Sequence, residues 1–186
     1  MKNKIYLFPV ISMVISLIIV GVVYASITSN LYPISDGTHT DWYPSASSTH
    51  YTMVNNFDCA SSTDYVFTTT TDAQDSYNIS LSSIPDGSHI TDIEVTVCGA
   101  TLNPDSNGTS TLKIFRYWNG DKVGNENLIN LPPDTEPLEL GTVSWNDRWL
   151  LKTPSSTMEV GFRNLVENGY GKRIDSIKTI IFYQEP

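Results

Sequence analysis

An all-β fold, a two-sheet β-sandwich of the jelly-roll kind, is what this sequence predicts, and three observations carry it. After residue 26 no amphipathic helical stretch runs longer than two turns. The chain there is dense in Ser, Thr, Asn, Asp, Tyr and Val, which is strand and turn composition. Short segments of strand character recur between turn signals along its whole length, a series that suits a jelly roll, with an open barrel as the alternative. A chain of 186 residues with 40% hydrophobic residues is enough for one domain with a real core.

The elements follow in order. Residues 1–25, MKNKIYLFPVISMVISLIIVGVVYA, place Lys2 and Lys4 ahead of an apolar run and close on Val23-Tyr24-Ala25, the pattern of a signal peptide. The run is also long enough to cross a bilayer as a helix, so an uncleaved N-terminal anchor is the alternative, with residues 5–25 as the one membrane contact. Either way the two lysines leave 26–186 outside the cytoplasm. Residues 26–35, SITSNLYPIS, read as a flexible lead-in, and 36–186 as the sandwich. Strands are expected over 50–55, 65–70, 76–81, 93–102, 109–118, 127–130, 138–144, 158–164 and 177–183. Ile93, Val95 and Val97 alternate with Glu94, Thr96 and Cys98, the period of a strand with one face in the core. Asn119-Gly120 is the strongest hairpin signal, and Pro85-Asp86-Gly87 and 103–108 are further turns. One helical turn is expected within 145–154.

Charge and cysteine usage exclude several functions. The formal net charge is −9, and no Lys or Arg lies between Ile5 and Leu112, where all the charged residues are acidic. Phosphate binding needs a basic patch, so nucleic acid is not expected as a partner of this acidic protein. Cys59 and Cys98 are an even pair in an exported chain and are expected to form a disulfide. No C-x-x-C, nucleophile elbow, H-E-x-x-H or phosphate loop occurs, and His39, His50 and His89 are scattered. Asp92 and Glu94 share a strand face, but a glycosidase pair is the weaker reading of two solvated carboxylates.

Binding residues are sought in 35-SDGTHTDWYPSASSTHYTMVNN-56, where Trp42 and Tyr43 either close the sandwich edge or form a platform that stacks on a sugar or a partner. Calcium is the one cofactor with candidate ligands: Asn103, Asp105 and Asn107 in N-x-D-x-N-G, and the pair Asp36 and Asp41. The first set lacks the Glu of a complete loop, since its twelfth position is Ile114.

The pattern Asp36-Gly37, Trp42, Pro44-Ser45, Tyr51, Val54 and Asp64-Tyr65, continued by 75-DSYN-78, 93-IEVTV-97 and 158-MEVGFRNL-165, resembles β-sandwich domains of phage virion proteins and of prokaryotic cell-surface proteins. That resemblance implies an extracellular jelly-roll module for attachment, display or contact with carbohydrate or a surface protein, with no shared activity. A structural subunit of an extracellular filament or surface layer, donating 26–35 to a neighbour's sheet edge, is the alternative, and a glycan-active enzyme a third reading.

Overall fold

A computed structural model describes residues 25–46, 49–57, 59, 63–102, 110–132, 138–165 and 171–186; the signal or anchor segment lies outside these except for Ala25. Among the described residues there are twelve strands and one helical turn: β1 (Ala25–Ile27), β2 (Pro33–Thr40), β3 (Tyr43–Pro44), α1 (Tyr51–Val54), β4 (Val66–Thr68), β5 (Gln74–Ile79), β6 (His89–Thr101), β7 (Ser110–Trp118), β8 (Asp121–Lys122), β9 (Asn127–Leu131), β10 (Leu138–Leu151), β11 (Met158–Asn164) and β12 (Lys172–Gln184). They form two six-stranded antiparallel sheets. Sheet A runs β10-β6-β12-β4-β3 with β1 also on β12, and sheet B runs β2-β5-β11-β7-β8 with β9 also on β7. From β4 to β7, and again from β9 to β12, successive strands alternate between the sheets, the crossing pattern of a jelly roll.

The expected period of two produces the core. Ile93, Val95 and Val97 of β6 and Ile177 and Ile181 of β12 point inward from sheet A, and each is fully buried. Tyr77, Leu112, Ile114, Val160 and Phe162 meet them from sheet B in one hydrophobic cluster. The Asn119-Gly120 hairpin forms as expected. Both residues have positive φ, 52° and 85°, which a type I′ turn requires, and Trp118 pairs with Asp121 across it.

Three expectations are corrected. The strand expected over 50–55 is instead α1, because Asp36 on β2 accepts a hydrogen bond from the Tyr51 amide at 2.6 Å and so caps a turn that buries the adjacent Met53 and Val54 together. The helical turn expected within 145–154 is strand as far as Leu151, held by the pairing of Leu150 with Ile90. The lead-in 26–35 is taken up in the fold: Ala25–Ile27 pairs with β12, Thr28 donates to Ile181 O at 2.9 Å, and Leu31 and Thr179 exchange backbone bonds.

The interior also holds ionisable groups. Asp75, on the inner face of β5, is fully buried; its Oδ2 accepts from Tyr77 OH at 2.8 Å and lies 2.9 Å from His50 Nδ1. Burial pushes the Asp75 carboxyl up to about 6, against the downward pull of His50 and Tyr77. Arg116, on the inner face of β7, is buried too; it makes a forked pair with Asp147 and lies 4.7 Å from the Trp145 ring. Cys59 and Cys98 are joined, with Cα atoms 5.6 Å apart.

Two outcomes follow from these features. Intact mass without reductant should be two protons below that of the reduced chain, and reduction should lower the thermal midpoint, since closing a loop of 39 residues stabilises by about 4 kcal/mol in the chain-entropy model. Between pH about 4 and about 6 the native state keeps a proton on Asp75 that the unfolded chain has released, so this group's contribution to stability falls as pH rises through that window. Asp75→Asn should remove that slope. Midpoints of the two proteins that run parallel across the window would contradict it.

Candidate functional site

The outer face of sheet A carries a row of aromatic rings. Val66 turns into the core, so its strand neighbour Phe67 turns outward, where it lies between Tyr43 of β3 and Arg173 of β12 in register. Tyr65 is held beside β3 by Ser45, whose amide donates to Tyr65 O at 2.8 Å and whose Oγ accepts from Tyr65 N at 3.0 Å. Ring centroids are 5.8 Å apart from Tyr43 to Phe67 and 6.0 Å from Phe67 to Tyr65, and the Arg173 guanidinium lies 5.2 Å from the Tyr65 ring. Tyr43 is 61% exposed, which makes it an open end to the row. Cys98 lies on this same outer face two residues from Ala100, the partner of Arg173, so the disulfide secures Cys59 on the side that displays the rings.

Beside Tyr43 opens a cleft of about 500 Å³, lined by Thr40, Asp41 and Trp42 from the end of β2 and by Thr71 and Asp72 from the turn before β5. Asp72 has φ 59°, a left-handed turn position that its short polar side chain tolerates. Asp41 is fixed to the start of β5: its amide donates to Gln74 O at 2.8 Å and its Oδ2 accepts from Gln74 N at 3.1 Å. Among the described residues, two carboxylates line the cleft and no Lys or Arg does.

The sequence-derived candidates are only partly brought together. Tyr43 and Asp41 both reach the cleft. Trp42 does not form an exposed platform: it is 2% exposed, donates its indole N–H to Ala73 O at 3.1 Å, and packs edge-on against Phe162 at 4.6 Å. Trp118 and Trp145 are likewise buried. Asp36 is engaged as the cap of α1, away from the cleft-lining residues. Asn103, Asp105 and Asn107 lie outside the described residues, and among the described residues no three His, Cys, Asp or Glu side chains converge as a metal centre would need. Phe67, Tyr65 and Asp72 are the residues that sequence reading missed. Their signal was there in the alternation of 65-YVFT-68, but their partner Tyr43 comes from a separate strand.

No known protein family matches the chain, and no curated protein matches it. Solved structures similar to it include a carbohydrate-binding module described for specific mannan recognition, with 9% identity, coverage of 88% of this chain and 99% of that one, and a TM-score of 0.48. Another is the CBM36-1 domain of a multidomain xylanase from the hindgut metagenome of Trinervitermes trinervoides, with 9% identity, coverage of 85% and 96%, and a TM-score of 0.39. A family 35 carbohydrate-binding module from Clostridium thermocellum has 12% identity, coverage of 84% and 90%, and a TM-score of 0.36.

The neighbouring residues Trp42 and Tyr43 should separate in a stability measurement. Trp42→Ala should cost about 3–5 kcal/mol, through the cavity it leaves and the loss of the indole hydrogen bond to Ala73 O, whereas Tyr43→Ala should leave the thermal midpoint nearly unchanged.

Proposed function

We propose that this protein is a non-enzymatic, extracellular glycan-binding module, and the observation that carries the reading is the outward row Tyr43, Phe67 and Tyr65 beside an acidic cleft. A pyranose ring presents a C–H face that stacks on an aromatic ring and a rim of hydroxyls that donate hydrogen bonds. The row suits the first and the Asp41 and Asp72 carboxylates suit the second. With two carboxylates and, among the described residues, no base lining the cleft, an uncharged, hydroxyl-rich ligand is favoured there over an acidic one. The filament reading loses its donor strand, since 26–35 pairs within its own chain. The expected export segment agrees with a ligand met outside the cell.

Affinity electrophoresis on a panel of neutral polysaccharides tests the proposal. The wild type should be retarded on at least one, and Tyr43→Ala and Phe67→Ala should each weaken that retention about three- to tenfold with the fold intact by near-UV circular dichroism. A wild type that migrates freely on every neutral polysaccharide would sink it.

A further inference from the structure

The outer face of sheet B, on the opposite side of the sandwich, has a different chemistry. Lys113 of β7 and Arg163 of β11 are direct cross-strand partners, so two like charges stand side by side, an arrangement that opposes pairing unless an anion sits between them. That anion is Glu126, from the turn between β8 and β9. Its Oε2 lies 3.0 Å from Lys113 Nζ and 2.7 Å from Arg163 Nη2, and its Oε1 binds Lys122. One carboxylate thus serves three cations, which leaves the cluster with a local excess of positive charge in a chain of net charge −9. Of the nine Lys and Arg that follow Lys4, three converge at this point. Arg163 Nε is buried and has no hydrogen-bond partner among the described residues. Beside the cluster Phe115 packs over Gly161, where an added Cβ would come within 2.5 Å of the ring, and Leu128, the cross-strand partner of Lys113, is 60% exposed.

We propose that this face is a second binding surface, which takes the carboxylate groups of an acidic polysaccharide, and that Glu126 occupies one such carboxylate position in the free protein and gives way to the ligand. The bound Glu126 shows that the three cations accept a carboxylate in this geometry. The occupant is a glycan because the three cations stand on β7, on β11 and on the β8 hairpin, where β7 and β11 are paired on both sides and offer no backbone to an added peptide strand, so the charged part of the face presents side-chain ends. Leu128 supplies an apolar surface beside the charges for a sugar ring. The surface is separate from the aromatic row, and each can fail without the other.

Polygalacturonate is the probe, with sodium polyglutamate and dextran sulfate as competing polyanions. Wild-type protein should be retained by polygalacturonate at low salt and released as salt is raised, since exposed charges are screened. Glu126→Gln should bind about tenfold more tightly, and Lys113→Gln with Arg163→Gln about tenfold more weakly, while Tyr43→Ala leaves polygalacturonate retention unchanged. If Glu126→Gln unfolds, Lys113→Gln with Arg163→Gln, checked by its thermal midpoint, carries the test alone. No retention by polygalacturonate, equal or tighter binding to polyglutamate or dextran sulfate, or retention unaltered by the folded charge variants would each overturn the proposal.

Discussion

The pairing of β6 with β12 is the constraint on which the rest of the molecule depends. The two thirteen-residue strands stay in antiparallel register from Thr101 opposite Lys172 to His89 opposite Gln184, with shifts after Ile174 and Phe182. Each also holds a second neighbour: β10 lines β6, while β4 and β1 share the free side of β12. The aromatic row exists because β4 joins β12 through Lys172, Arg173 and Ile174, which fixes Phe67 opposite Arg173 and hence on the outer face. The disulfide fastens to β6 within the same register, at Cys98 opposite Ser176. Displacing β12 by one residue would turn Ile177 and Ile181 outward and dismantle core and row together.

Sheet B is built on a less ordinary compromise. Its inner face places Asp75 and Arg116 among apolar neighbours, where an unpaired charge would be very costly, and each is enclosed by specific partners. Asp75 links β5 to His50 at the start of α1, and Asp36 links β2 to the same turn, so two carboxylates fix a four-residue helix between the sheets. Arg116 binds Asp147 of β10, a strand of the other sheet. Apolar packing alone sets the spacing of two sheets loosely; polar bonds of this kind select a single arrangement, at the cost of a pH dependence that a wholly apolar core would not have.

Much of the fold is legible in the sequence because its signals are local. The alternation along Ile93–Val97, the turn at Asn119-Gly120 and the strand over Met158–Asn164 each need only a short window. What escapes is set by distant partners. Met53 and Val54 have strand character, but a carboxylate from β2 turns them into helix. Trp42 and Tyr43 are chemically similar neighbours, and only the carbonyl of Ala73 and the strand pairing with Phe67 send one inward and the other outward. The cationic cluster is hidden for the same reason: Lys113, Lys122, Glu126 and Arg163 look unremarkably spaced along the chain until β7 and β11 lie side by side.

The short β1 clasp also bears on how the molecule would carry a mechanical load. Ala25 lies opposite Gln184, so the two ends of the described chain leave from one edge of sheet A, side by side. Tension between them would meet the rungs of β1 one at a time, opening Ala25 to Ile27 and then the Thr28 and Leu31 bonds like a zip, before it reached β6 or either outer face. A pull applied instead between residue 25 and the body of the sandwich would open the same contacts first and then pass along the chain into β2 of the other sheet. In that geometry the clasp is a slack-absorbing link, and the two outer faces of the sandwich stay whole while it extends.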